Sequence, residues 1–137
     1  MPELKLRQLE YESDTWKRLM SFMVDENIHL KNRLSEVLRY KVDKQMLEEA
    51  ENFHTRFIRQ DEFNHLLRNE IFEFDKLLSR KIFEDGRLKN EVAGKSKNLR
   101  NNIRNLEELF GELKFEFNNF LSVMLYGDNR TNYLNKN

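Results

Sequence analysis

The chain has 137 residues but no cysteine, one proline and four glycines. The lack of cysteine excludes disulfide bonds and thiolate metal sites. So little proline and glycine argues against a turn-rich all-β domain, in which chain breaks recur every few residues. Lysine plus arginine and aspartate plus glutamate number 24 each, so the chain lacks the positive excess of a general nucleic-acid-binding protein. The composition therefore favours one charged, helical domain.

Long apolar runs and catalytic motifs are missing as well. No window approaches the roughly 20 apolar residues of a membrane span, and the segment Met1 to Arg7 is too polar for a signal peptide. We therefore expect a cytoplasmic protein that does not enter the membrane. The sequence has no nucleophile elbow and no glycine-rich phosphate loop. We expect no catalytic residues and favour a protein that is not an enzyme.

Apolar residues recur with heptad spacing along most of the chain, which predicts long helices that share one core. The predicted helices lie near 2–40, 43–85 and 88–126. Each would be roughly 60 Å long at about 1.5 Å per residue. Their similar lengths favour an all-α fold, an elongated antiparallel three-helix bundle with coiled-coil-like packing, as a single domain over residues 1–126.

Several residues mark the predicted helix boundaries. Pro2 suits the first position of a helix, and Asp43 can cap the second helix. Gly86 and Gly127 are expected to end the second and third helices. The polar segment 127–137 is expected to be a disordered tail.

Two alternatives stay open at these boundaries. Ser13 and Asp14 could cap a first helix that begins there, which would leave residues 1–12 as an arm. Gly94, in a polar stretch, could break the third helix near its start.

The charge pattern supports an antiparallel pairing of the second and third helices. A turn near Gly86 would bring residues that are far apart in sequence to the same level of the two helices. The expected pairs are Lys97 and Arg100 with Asp75 and Glu73, and Glu112 and Glu116 with Arg59 and Arg56. Each exposed pair contributes only about 0–1 kcal/mol, so the pattern indicates register more than stability.

Each of the three histidines follows a glutamate by three positions, which places both side chains on one helical face. The pairs are Glu26 with His29, Glu51 with His54, and Glu62 with His65. Di-metal carboxylate bundles use this Glu-x-x-His unit, so one alternative function is a metal-binding bundle for iron, manganese or zinc. The heptad register, however, directs two of the three histidines away from the core, and two units share one helix. We therefore favour no metal and no cofactor.

Three amides occupy core positions of the heptad pattern: Asn27, Gln60 and Asn64. Buried amides in such a core cost stability but set register and oligomeric state. We expect Gln60 and Asn64 to lie near Glu108 and Glu112 and to hydrogen-bond them. A polar ligand pocket inside the bundle is the alternative.

The 11 phenylalanines, four tyrosines and one tryptophan exceed the needs of one narrow apolar stripe. Apolar residues surround much of the second helix near its end and widen the apolar face of the first, which indicates contact with another chain. The expected interface residues are Trp16, Met20, Met23, Phe72, Phe74 and Phe83.

A basic stretch opens the third helix. Its members are Arg87, Lys89, Lys95, Lys97, Arg100 and Arg104. A nucleic-acid contact there is a weaker alternative, since most charge runs form solvated or internally paired faces.

Taken together, these features predict a non-enzymatic interaction or scaffold protein that acts through helix–helix association. We expect it to self-associate as a homo-oligomer or to bind another helical partner.

Overall fold

A computed structural model describes the backbone of residues 2–40, 42–80 and 86–135, and the side chains of residues 5–40, 42–80 and 89–126. Three α-helices follow one another along the chain, α1 (Pro2–Val37), α2 (Lys44–Ser79) and α3 (Gly86–Asn135). They pack against each other around one apolar core. The predicted all-α three-helix bundle is confirmed.

Helix α1 begins at Pro2 and continues without a break past Ser13, so the alternative start at Ser13 and Asp14 is wrong. Ser13 is instead fully buried, and its hydroxyl donates to Asp75 Oδ1 at 2.6 Å. The helix ends at Val37, three residues before the predicted end at residue 40. A turn follows, in which the amide of Tyr40 donates to the carbonyl of Val37 at 3.2 Å.

Helix α2 begins where the sequence predicts. Asp43 has extended backbone angles, and its Oδ1 accepts from the amide of Met46 at 2.8 Å, which satisfies one of the free amides at the helix start. The helix ends at Ser79, and Arg80 follows it as the C-terminal cap. The predicted continuation over 81–85 lies outside the described residues.

Helix α3 is longer than predicted at both ends. Gly86 begins α3 and does not end α2, and the helix runs past Gly127 to Asn135, where we expected a disordered tail. Glycine ends a helix only when it adopts the left-handed conformation; inside a helix it costs about 1 kcal/mol relative to alanine. The chain's one proline is Pro2, so no proline interrupts the backbone hydrogen bonds beyond Gly127. Gly94 also lies inside the continuous helix.

The core follows the heptad spacing of all three helices. Its largest fully buried apolar side chains are Met20, Met23, Phe57, Ile71, Phe74, Leu78 and Phe117. The rings of Phe57 and Phe117 meet edge to face with centroids 4.9 Å apart, and those of Trp16 and Phe74 lie 5.6 Å apart. Such aromatic pairs contribute about 0.5–1.5 kcal/mol beyond the burial of their area.

Hydrogen bonds and ion pairs reveal the helix directions. Between α1 and α2 the sequence separation of bonded residues falls from 62 for Ser13 with Asp75 to 34 for Asn27 with Asp61, so these helices are antiparallel. Between α1 and α3, residues 88 apart pair near both ends, Glu12 with Arg100 and Glu26 with Lys114, so these two helices are parallel.

Candidate functional site

The three histidines lie on the outside of the bundle. His29, His54 and His65 are all exposed. Within residues 5–40, 42–80 and 89–126, no group of three or more His, Asp or Glu side chains is placed to hold a metal ion. The three Glu-x-x-His units therefore do not converge on the interior as a di-metal centre requires.

The glutamates of these units are not turned toward a shared centre either. Glu26 forms an ion pair with Lys114 at 3.5 Å, while Glu51 and Glu62 are exposed. The Nε2 atom of His65 lies 3.4 Å from the side-chain amide nitrogen of Asn69, one turn away on the same helix.

Most of the expected interface residues belong to the bundle's own core. Those buried inside it are Trp16, Met20, Met23 and Phe74. Their apolar character is accounted for by contacts within the chain, so they do not form a surface of the folded monomer. Phe72 is exposed, with the ammonium of Lys76 4.7 Å from its ring centre, and Phe83 lies outside the described residues.

The three core amides are buried as the heptad pattern predicts, but their partners differ from the expectation. Gln60 Nε2 donates to Asn64 Oδ1 at 3.3 Å, one turn away on the same helix. Glu108 and Glu112, the expected partners, are exposed. The side chains of Glu108 and Glu112 point outward, because the neighbouring core positions of α3 are filled by apolar residues.

Asn27 provides a further buried polar link between α1 and α2, in addition to Ser13 with Asp75. Its Nδ2 donates to the carbonyl of Phe57 at 3.0 Å and to Asp61 Oδ1 at 2.7 Å. Asp61 also pairs with Lys31. Among the described residues, Asn27 Oδ1 and Asn64 Nδ2 have no hydrogen-bond partner. The contacts of Asn27 with Phe57 and Asp61 favour a single register of α1 against α2. If α1 slid along α2, more buried polar groups would lose their hydrogen-bond partners.

Ion pairs flank both sides of α1. Toward α2, Lys17 pairs with Asp75 and Lys31 with Asp61. The hydrogen bond that Lys17 donates to Asp75 raises the pKa of Lys17 above its ordinary value. The two lysines are two heptads apart, so the same position of α1 meets an acid in α2 twice.

The other side of α1 carries the opposite charge. Arg100 donates through Nε and Nη2 to the two carboxylate oxygens of Glu12, each at 2.7 Å, and these bonds raise the pKa of Arg100. Lys114 and Glu26 repeat the pairing two heptads later. The expectation that Arg100 would pair with an acid of α2 is wrong, because Arg100 lies on the side of α3 that faces α1.

The interface of α2 with α3 is built differently. Arg56 pairs with Glu116, as predicted, which confirms the register of the hairpin. One heptad further along, the flanking positions hold Phe63 and Leu109 instead of charges. Phe63 and Leu109 are not among the predicted interface residues, although they obey the same pairing rule as Arg56 and Glu116.

These residues open an apolar groove between α2 and α3. We use the name α2–α3 groove for the depression lined by Phe63, Leu66, Leu67, Glu70, Asn102, Asn105, Leu106 and Leu109. Leu66 is 57% exposed, and Phe63 and Leu109 are each 44% exposed, whereas Leu67 and Leu106 are buried beneath them. The groove thus has an apolar floor and three apolar side chains that are only partly covered.

The groove continues toward the start of α3 with a more polar lining. That part is lined by Leu66, Asn69, Glu70, Glu73, Lys95, Asn98, Leu99 and Asn102. Amide side chains can both donate and accept hydrogen bonds. An apolar centre with a polar rim is the usual anatomy of a protein–protein contact surface.

The basic start of α3 is partly paired within the chain. Arg100 binds Glu12, and Lys95 lies 3.7 Å from Glu91. These pairings reduce the positive charge that the stretch could offer to a nucleic acid.

Within the described ranges, no helix has a segment both long and apolar enough to cross a membrane. Comparisons with protein-family models, with curated proteins and with solved structures find no match to this chain.

Proposed function

We propose that this chain is a non-enzymatic interaction or scaffold protein that acts through helix–helix association. Its docking surface is the α2–α3 groove, and the protein self-associates there. The observation that carries this proposal is the partial exposure of Phe63, Leu66 and Leu109 side by side over one groove. Scattered exposed apolar residues are normal on a soluble protein, but a contiguous group marks a contact surface.

The groove suits a helix as its occupant. Two packed helices leave a channel between them, and a further helix that lies in this channel completes a four-helix arrangement. Covering the exposed half of each of the three side chains contributes about 1 kcal/mol apiece, from about 1.5–3 kcal/mol for full burial of a large apolar side chain. Two copies of the surface double that gain.

The other two interfaces are less suited to a further helix. Charged residues flank α1 on both sides, and each is paired with an opposite charge. A helix laid over those pairs would remove charges from water, which costs free energy that new contacts must offset. Among the residues that line the α2–α3 groove, Glu70 is the only charged one, so a covering helix would remove fewer charges from water there.

A matched pair of variants tests the proposal. Leu66 and Phe72 both lie on α2 and are 57% and 58% exposed, but only Leu66 lines the groove. Sedimentation velocity over a concentration series should show that the wild type self-associates, that Leu66→Glu weakens association about tenfold or more, and that Phe72→Glu leaves it nearly unchanged. Circular dichroism should show a folded helical protein in all three cases, because both side chains are exposed.

Two outcomes contradict the proposal. One is a wild type that stays monomeric at every concentration reached. The other is the reverse order of effects, in which Phe72→Glu dissociates the protein and Leu66→Glu does not, since the contact surface would then lie elsewhere on α2.

A further inference from the structure

The side of α1 that faces α2 carries an uncharged residue between its two lysines. Lys17 pairs with Asp75, and Lys31 pairs with Asp61. Val24 lies midway between the lysines, seven residues from each, so it occupies the same stripe of α1. Its side chain is half-buried and is shorter than a lysine side chain. At this level α1 therefore offers α2 neither a cation nor a long side chain.

Arg68 is the residue of α2 at the level of Val24. It lies midway between Asp61 and Asp75, so α2 presents a positive charge where the neighbouring heptads present an acid. Arg68 is exposed and forms no ion pair with the described residues. None of the residues one turn before or after it on α2 is acidic: Asn64, His65, Ile71 and Phe72.

A cavity of about 340 Å³ opens between α1 and α2 at this level. The six residues that line it are Val24, Asp61, Asn64, His65, Arg68 and Asn69. Asn64 is 1% exposed and is the buried member of this lining, so it forms the floor of the cavity. Ligand sites in proteins have volumes upward of about 300 Å³, so a cavity of this size suits a small molecule.

The floor of the cavity carries a hydrogen-bond donor without a partner. Asn64 Oδ1 accepts from Gln60 Nε2, whereas Asn64 Nδ2 has no acceptor among the described residues. A buried donor without an acceptor destabilises the folded protein, so a ligand that supplies an acceptor gains free energy there. Asn27, whose Oδ1 also has no described partner, is not part of the lining.

The acid in the lining already has partners within the chain. Asp61 Oδ1 accepts from Asn27 Nδ2 at 2.7 Å, and Asp61 Oδ2 pairs with Lys31. The negative charge of Asp61 is therefore balanced by a lysine, whereas no described acid pairs with Arg68. The cavity thus offers a cation and a free N–H donor, which are the groups that recognise the oxygens of an anion.

We infer that this cavity is a binding site for a small oxyanion, a carboxylate or a phosphate group. The guanidinium of Arg68 binds two oxygens of the anion, since its planar shape matches both groups. Asn64 Nδ2 donates to an oxygen from the floor. Val24 provides an apolar wall for the carbon atoms of a carboxylate ligand. The site lies on the α1 side of α2 and does not require self-association of the chain.

NMR titration of the isotopically labelled protein with sodium acetate and, separately, with sodium phosphate tests this inference. Sodium chloride holds the ionic strength constant in each series. The signals of the Asn64 side-chain amide and of Arg68 Nε–H should shift and saturate, with a dissociation constant of about 1 mM for so small a ligand. Saturation with acetate alone identifies a carboxylate site, saturation with phosphate alone a phosphate site, and saturation with both a site for either group.

A matched pair of arginine variants locates the site. Arg59 and Arg68 are both exposed on α2, and neither forms an ion pair with the described residues, but only Arg68 lines the cavity. Arg68→Gln should weaken binding about tenfold or more, because a charge-assisted hydrogen bond is lost. Arg59→Gln should leave binding unchanged. Circular dichroism should show that both variants are folded, because both side chains are exposed.

A carboxylate introduced into the chain provides a second test. Val24→Glu supplies an acid at the level of Arg68, so its side chain should take the place of the anion and abolish saturable binding. Phe22→Glu adds the same charge at an exposed position of α1 outside the cavity, and it should retain binding. Both variants are checked for helicity before titration.

Three results would overturn the inference. The first is a wild type whose Asn64 and Arg68 signals saturate with neither anion. The second is equal binding by the wild type and Arg68→Gln, since the anion would then bind elsewhere. The third is saturable binding that persists in folded Val24→Glu.

Discussion

The two interfaces that α1 forms with α2 and α3 differ from the α2–α3 interface in the residues that flank them. Each flank of α1 carries two like charges placed two heptads apart, and each of these meets an opposite charge on the neighbouring helix. The α2–α3 interface begins with one such pair, Arg56 with Glu116, and continues with Phe63 and Leu109.

This difference explains why the α2–α3 interface offers an apolar groove. Long charged side chains cover the apolar floor with their aliphatic stems and keep their charged ends in water. Apolar side chains in the same place remain partly exposed unless another helix covers them. The flanking residues of a helix pair thus determine whether the pair is complete or can accept a further helix.

The largest loss of stability is expected from a substitution in the aromatic core between α2 and α3. Phe117 is fully buried, and its ring contacts those of Phe53 and Phe57. Phe117→Ala should lower the free energy of unfolding by about 3–5 kcal/mol in urea titrations. Phe115→Ala, at a position that is 67% exposed on the same helix, should change it by less than about 0.5 kcal/mol. Similar losses for both variants would contradict the described core.

The next largest effect concerns the polar contact between α1 and α2. Asp61 accepts from buried Asn27 and pairs with Lys31, so Asp61→Ala removes a partner from both. We expect a loss of about 1–3 kcal/mol in the free energy of unfolding, because a buried donor is left with fewer acceptors. Asp61→Asn keeps one acceptor oxygen and should cost less.

The exposed ion pair of the α2–α3 interface provides the contrast. Arg56→Met removes the pair with Glu116, and the expected loss is below about 1 kcal/mol. Equal losses in the free energy of unfolding for Arg56→Met and Asp61→Ala in the same urea titrations would contradict this contrast. Charged contacts would then stabilise the α1–α2 and α2–α3 interfaces to the same extent.

Much of this fold follows from local patterns in the sequence. Heptad spacing predicts the core, an aspartate before a helix predicts the Asp43 cap, and the register of one hairpin predicts the pair of Arg56 and Glu116. These features depend on neighbours in sequence or on one antiparallel pair. The burial of Asn27, Gln60 and Asn64 follows from the same spacing.

Other features depend on how three helices are arranged in space. Arg100 binds Glu12 and no acid of α2, because the heptad pattern does not reveal which flank of α3 faces which neighbour. The expected interface residues Trp16 and Phe74 occupy core positions of the heptad pattern, and the packing of the three helices uses them there. The α2–α3 groove becomes visible only when Phe63 and Leu109 are matched across two helices.

The smallest expected effect is a pH dependence at the α1–α2 interface. Asp75 raises the pKa of Lys17 above its ordinary value of about 10.4. A raised pKa in the folded state gives a stabilisation that is fully present below the ordinary pKa and is lost as the pH rises through the folded-state value. The difference in stability between the wild type and Lys17→Met should therefore stay constant from neutral pH to about pH 10 and shrink above it.

The same titration with Asp75→Asn as the background provides the control. Without the carboxylate, Lys17→Met should have nearly the same effect at all pH values. A difference that still shrinks above about pH 10 in the Asp75→Asn background would contradict the assigned partner.

The most direct test of the central claim, that the α2–α3 groove is the association surface, is a concentration series of methyl and aromatic NMR spectra of the wild-type protein. The account predicts that the signals of Phe63, Leu66 and Leu109 shift as the concentration rises. Those of Phe22 and Ile28, which are exposed on α1, should stay constant. Shifts confined to the α1 signals, or spectra that do not change up to the solubility limit, would contradict it.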